Sequence, residues 1–340
     1  MKIIDCHFHW WPPAYVAHLL KRRRYPLVER HERGGFIYTR NAGAEPERFG
    51  SSIWFDIDGE LEHYAQLGHD VSVVGSVGPV SVHFSDLPVQ EGLELAMLWN
   101  AEMARAQKEY GGRFIGTAAI PLLEADAAIK ALDHAVTELG LVGVNLPGSI
   151  GDNPRIDAPQ LEPFYARVAE LGVPAFLHPT DAWFPRSMQG YDGALYLSLG
   201  RVVDVSTSGA RLVLSGLMER HPDLKIYISH TGGALPYQSG RMDKNSGNAK
   251  LPRPPSFYLK RMITDTTSPH SLGVKFAIEY YGIDNVMYGS DFPCWEPAEA
   301  LRVVEELQLA PNELNKILYS NAIRLLNLTS IELQLALMGT

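Results

Sequence analysis

The chain has 340 residues, 46% of them hydrophobic, with a formal net charge of -9 and a pI near 5.7. That length suits one large barrel or two smaller domains, and the apolar share supplies a sizeable core. The acidic balance is spread along the chain and the one basic run, Lys21-Arg22-Arg23-Arg24, is short, so nucleic acid is not an expected partner. No apolar run approaches the ~18 residues of a membrane span. With no charged-then-apolar leader before Ile3 and only two cysteines, Cys6 and Cys294, the expected compartment is the reducing cytoplasm.

The chain opens Met-Lys-Ile-Ile-Asp-Cys-His-Phe-His-Trp. If Lys2 to His9 is a strand, a period of two puts His7 and His9 on one face at its carboxyl end, with Cys6 and Phe8 turned away. Residues 10 to 56 read as an irregular insertion rich in Pro, Gly, Arg and aromatics, with a short helix from Tyr15 to Arg24. Loops of that length usually cover a site. Strands and helices then alternate. Helix Asp58 to Gly68 precedes strand Val71 to Val77, a loop with His83, and an amphipathic helix from Val89 to Tyr110. Strand Phe114 to Ile120, helix Glu124 to Leu139 and strand Leu141 to Leu146 come next, then helix Gln160 to Leu171 and strand Val173 to His178. The second half gives helix Tyr196 to Arg220, strand Lys225 to His230, helix Ala234 to Met242, strand Arg261 to Asp265, helix Leu272 to Tyr281 and strand Asn285 to Tyr288. Helices from Glu296 and Pro311 close the pattern. Eight strand-helix units predict a single α/β domain over 1-340, a (β/α)8 TIM barrel with an insertion after strand 1. An open doubly wound sheet is the alternative, but no Gly-x-Gly-x-x-Gly follows an early strand.

Active sites of such barrels gather where the strands end. Strand one ends in His7 and His9, strand five in His178, strand six in His230, and strand eight runs into Asp291. Each has a bland reading: a histidine in a hydrogen-bonded core, or an aspartate initiating the turn before Phe292-Pro293. Four placements on one rim favour a metal site, because neutral imidazoles and a carboxylate are the donors of zinc and similar divalent ions. His7, His9, His178 and Asp291 then ligate, a position stays open for water whose pKa falls towards ~7, and His230 is left as an acid/base. Phe8, Trp10, Trp11, His83, Trp183, Phe184, Arg186, Tyr191, Phe292 and Trp295 lie around the expected mouth; the aromatics in loops after strand ends suit a pocket for a flat substrate, while Phe8, turned away from the histidines, reads as packing.

The Asp5-x-His-x-His9 opening, His178-Pro, Ile228-Ser-His230-x-Gly-Gly and Gly289-Ser-Asp291-Phe-Pro together resemble the amidohydrolase superfamily, within it the aminocarboxymuconate-semialdehyde decarboxylase branch. Gly240-Arg241-Met-Asp243, Arg253-Pro-Pro-Ser256 and Asn321-Ala-x-x-Leu325-Leu extend the match over the whole chain. The resemblance implies one metal per subunit on His7, His9, His178 and Asp291, usually zinc and sometimes manganese, with His230 as catalytic histidine. Larger members bridge two metals through a carboxylated lysine on strand four; Val142-Gly-Val-Asn145-Leu-Pro has none. It also implies a homodimer in which Arg241 reaches the neighbouring site to bind a substrate carboxylate, with Arg48 as a second carboxylate ligand at an inexact spacing. Its own bland reading makes Arg241 a solvated helix residue.

These residues serve two chemistries. The leading expectation is decarboxylation of an aromatic or unsaturated carboxylic acid, with Asp291 or His230 protonating the carbon that loses CO₂. The alternative is hydrolysis of a lactone, amide or ring-cleavage product by metal-bound hydroxide. A purely structural metal fits poorly, since structural zinc sites are closed, local and often cysteine-rich.

Overall fold

The computed structural model describes residues 1–39, 41–43, 47–50, 52–78, 84–149, 155–180, 188 and 190–328. Among them run eight parallel strands that build a barrel: β1 (Lys2–His9), β5 (Asp70–Ser76), β6 (Phe114–Gly116), β7 (Val144–Pro147), β8 (Ala175–His178), β9 (Ile226–Ile228), β10 (Ile263–Asp265) and β11 (Val286–Met287). Three more, β2 (Leu27–Arg30), β3 (Phe36–Thr39) and β4 (Glu47–Phe49), lie in the insertion. Hydrogen-bonded ladders join β1-β5-β6 and β7-β8-β9-β10-β11. Single bridges close the two seams: Ala118 pairs with Val144, and Phe8 with Phe292. Cys6 N–H donates to Tyr288 O at 2.8 Å and His9 N–H to Phe292 O at 2.9 Å, which ties the first strand to the last.

Alternation sorts the strand side chains into two layers. Ile4, Val74, Ile115, Phe176, Tyr227, Ile263 and Met287 fill the barrel interior, which Ala322, Leu325, Leu326 and Leu328 close from below. Ile3, Phe8, Val71, Val73 and Phe114 face outward into the packing with the helices. β1 breaks its own alternation. Its register with β5 slips between Asp5, opposite Val73, and Phe8, opposite Gly75, so Cys6 and His7 together face the single residue Val74. This bulge leaves Cys6 in the interior beside Met287, with sulfur atoms 3.7 Å apart, and still brings His7 and His9 to the rim. Cys6 therefore does not turn away from the histidines as simple alternation implies; it lies beneath them.

Several element boundaries differ from the sequence expectations. β6 ends at Gly116, short of Ile120, where its ladder gives way to the rim loop, whereas β7 and β10 start later than expected, at Val144 and Ile263. The helix expected over Tyr196 to Arg220 breaks at Gly216, whose φ of 78° is left-handed and ends Arg201–Leu214 before Leu217–Arg220 begins. The insertion is not irregular. Pro13 at its first turn starts a helix at Pro13–Lys21, and β2-β3-β4 form an antiparallel sheet in which Phe36 and Tyr38 alternate inward. Trp10 packs edge-on to Phe114, Tyr15 to Trp99, and Arg22 and Arg24 both pair with Glu91 of the helix Val89–Glu109, fastening the insertion to the barrel wall.

Candidate metal centre

Three strand ends, those of β1, β8 and β11, meet at one point. A ligand atom from each of His7, His9, His178 and Asp291 lies within 4.8 Å of the others. Asp291 Oδ1 is 3.0 Å from His9 Nε2 and 3.3 Å from His7 Nε2, and the Nε2 atoms of His7 and His178 are 3.1 Å apart. All four residues are buried, His178 the least at 8% exposure. Space for the rings is made by missing side chains: a Cβ on Gly78 would sit 2.2 Å from His9 Nδ1, and one on Gly289 2.7 Å from His7 Cβ.

The far nitrogens decide what the near ones can do. His178 Nδ1–H donates to Pro179 O at 2.8 Å and His7 Nδ1–H to Asp265 Oδ2 at 2.7 Å. Ser76 Oγ donates to Phe8 O, so it accepts from His9 Nδ1–H at 3.0 Å. Each ring thus turns its Nε2 inward, those of His7 and His9 towards an Asp291 oxygen and that of His178 towards His7. Lone pairs of His7 and His178 facing at 3.1 Å repel unless a cation lies between them, so the residues fit a divalent metal ion.

With protons alone the cluster behaves accordingly. Burial depresses His7, but the Asp291 and Asp265 carboxylates outweigh it and hold the imidazole up at about 10. Burial keeps His9 below its ordinary value and, reinforced by the charge on its histidine neighbours, drives His178 well below. Burial opposes ionisation of Asp291, yet His7 and His9 hold its carboxyl well below the usual range. A single proton on His7 stands where a metal would.

His230 stands beside the four clustered side chains without joining them. Its ring centroid is 4.9 Å from that of His7, 5.4 Å from His178 and 6.3 Å from Trp295. Burial, opposed in part by Asp291, lowers it to about 4, so the ring is neutral at pH 7. It occupies a strained turn: His230, Thr231, Gly232 and Gly233 have φ of 54°, 55°, 82° and 61°. Left-handed backbone costs about 1–2 kcal/mol at each non-glycine residue, and Asp291 adds another at φ 65°.

Sequence reasoning missed the groups beneath the ligands. Asp265, at the end of β10, accepts from His7 Nδ1, Tyr227 Oη, and the backbone N–H groups of His230, Thr231 and Thr267. Asp5 accepts from Tyr64 Oη and from the N–H groups of His7 and Ser290, bracing the ends of β1 and β11 against each other. Listing strand ends could have found Asp265, which terminates strand seven. Trp54, from the insertion, stacks on His9 at 6.0 Å with planes 5° apart and leans on Trp11 at 4.7 Å.

Other expected site residues lie elsewhere. Trp183, Phe184, Arg186, His83 and the side chain of Arg48 fall outside the described residues. Tyr191 is exposed, and Phe8 and Phe292 stack on each other as packing. Arg241 is exposed on the helix Leu235–Asn245, where it lines a surface hollow with Leu214, Gln238, Met242, Asn245 and Ser246.

A parallel eight-stranded barrel with three histidines and an aspartate converging on its carboxyl rim defines a metal-dependent barrel enzyme. The chain belongs to the amidohydrolase family, whose model matches residues 4–328. It is 31% identical to a gamma-resorcylate decarboxylase of Rhizobium sp. (strain MTP-10005) over 70% of this chain and 78% of that one. A 2-amino-3-carboxymuconate-6-semialdehyde decarboxylase of Dictyostelium discoideum is 27% identical over 92% and 90% of the two chains. The fold is shared by a dihydroxybenzoic acid decarboxylase of Polaromonas sp. JS666 solved with bound manganese (TM-score 0.72, 22% identity, 98% of each chain). The protein is an enzyme, and its kinship is with carboxy-lyases.

Proposed function

We propose that the protein decarboxylates an aromatic or unsaturated carboxylic acid, using one divalent ion per subunit held by His7, His9, His178 and Asp291. The observation that carries this is the inward convergence of three Nε2 atoms and one carboxylate oxygen beside His230, which stands outside the cluster. Three nitrogens and one oxygen suit zinc, and manganese is the competing occupant. When bound, the ion supplies positive charge that orients a substrate oxygen and stabilises the electrons left behind as CO₂ departs.

The chain's own groups do the rest. His230 is neutral in the free protein, and a substrate carboxylate arriving beside it raises its proton affinity, so the imidazole takes up a proton on binding. It then stands as the donor to the carbon that loses CO₂, which balances the reaction: one carboxylate and one proton in, one C–H bond and CO₂ out. Trp54 walls the site with an aromatic face beside His9, suited to a flat, conjugated acid. Arg241 serves a partner subunit in a homodimer. Its exposure supports this, as do Tyr237 on the same helix, 80% exposed, and nearby Phe276. Two unpaired thiols agree with a cytoplasmic setting.

Metal-loaded protein should release one CO₂ per substrate consumed from a panel of such acids that includes 2,6-dihydroxybenzoate. Turnover with oxygen incorporated from labelled water, and no CO₂, would establish the hydrolase alternative instead. The same assay on mixed Arg241→Ala and His230→Ala subunits should recover activity; none regained means that each site is self-contained.

A further inference from the structure

Outside the ligand set, one buried carboxylate gathers more of the site than any ligand does. Asp265 is fully buried at the end of β10. Its Oδ2 accepts from His7 Nδ1 at 2.7 Å, Tyr227 Oη at 2.6 Å and the His230 N–H at 3.1 Å. Its Oδ1 accepts from the N–H groups of Thr231 and Thr267, both at 3.0 Å. Five donors on two oxygens more than fill the roughly four lone-pair sites of an ionised carboxylate, which has no hydrogen of its own to place.

Three of those donors belong to two functional parts. His7 is a member of the converging cluster, and its bond to Asp265 fixes which nitrogen carries the hydrogen and leaves Nε2 free to ligate. The N–H groups of His230 and Thr231 belong to the left-handed turn that aims the His230 ring at the same cluster. Two successive N–H groups pointing at one anion form a nest, and the charge of that anion favours the strained turn. We infer that Asp265 is a positioning residue that couples the two: one carboxylate sets the ligating nitrogen of His7 and locks the backbone presenting His230, so metal binding and acid/base alignment rise and fall together. This rests on the reading of the cluster as a metal site, and its test needs no substrate.

Asp265→Asn is nearly isosteric but replaces one acceptor oxygen with an NH₂ donor. Whichever way the amide turns, it cannot accept from all five groups. If its NH₂ faces His7, the hydrogen shifts to Nε2 and blocks the metal position. With a cooperative melt as the control for folding, Mn²⁺ titration should show affinity ~10–100-fold below that of the unmodified protein. Hydrogen exchange of the segment 229–233 should be faster than in the unmodified protein. Mn²⁺ loading should slow that exchange in the unmodified protein, and in the variant even saturating Mn²⁺ should not. Affinity within twofold of normal overturns the proposal. So does weak binding with normal exchange in 229–233, which would confine Asp265 to His7. If Asp265→Asn does not fold, Asp265→Glu takes the same measurements, since it keeps the charge but displaces the oxygens; unchanged affinity and exchange there also overturn it. Failure of the unmodified protein to bind Mn²⁺ or Zn²⁺ at all would instead remove the metal-site reading itself, and with it this inference.

Discussion

The barrel rim and the insertion over it are built on different principles. At the rim, each functional side chain ends a parallel strand and is held by a second buried group: His7 by Asp265, His9 by Ser76, His178 by the Pro179 carbonyl. The insertion instead makes its own small antiparallel sheet and fastens itself through aromatic contacts and the pairs that Arg22 and Arg24 make with Glu91. Rim geometry is fixed by the whole barrel, so changes there abolish chemistry. Insertion geometry is fixed locally, so changes there tune what the site accepts.

That contrast can be broken at graded strengths. The largest effect belongs to His178→Ala, which should lose both metal and turnover, while His230→Ala should keep the metal and lose ~10²–10⁴-fold in kcat. Metal content after dialysis, read beside kcat, checks the pair; equal metal loss from both would erase the division between ligand and acid/base. A second effect is of pH. Because His7 holds a proton up to about 10 that a metal must displace, one proton leaves per ion bound. Metal affinity should therefore rise roughly tenfold per pH unit between neutral and mildly alkaline conditions and fall in acid. Mn²⁺ titrations in buffers of different ionisation enthalpy count that proton; zero release would mean that His7 is already neutral. The smallest effect is Trp54→Ala, expected to raise KM by about 3- to 10-fold through lost ring stacking while leaving metal affinity unchanged. A loss of metal in that variant would show that the insertion supports the rim as well as covering it.

The convergence at the rim was legible in the sequence because β-strand ends and candidate donor side chains leave one-residue signatures. His7-x-His9, His178-Pro and Gly289-Ser-Asp291 each put a donor after an apolar run, and eight such runs specify a barrel. What escaped was set by partners distant in sequence. Asp265 followed Ile263-Thr264 as plainly as His178 followed its strand, but its role comes from five donors on β1, β9 and two loops. The antiparallel sheet of the insertion escaped because its strands are three or four residues long, too short for alternation to stand out from turn composition. The turn that carries His230 showed its glycines, but not that His230 and Thr231 would share their left-handed backbone.

The extra residue in β1 divides that strand into two reading frames. Up to Cys6, even-numbered positions face the barrel interior; from His7 on, odd-numbered ones do. The core below and the converging imidazoles above are thus written on one strand in different phases. Ile4 can answer to packing and His9 to coordination without either dictating the other's parity. Transplanting His-x-His onto an unbroken strand of another barrel would carry the letters but not the frame, and the imidazoles would inherit whichever face that strand's core residues had left over.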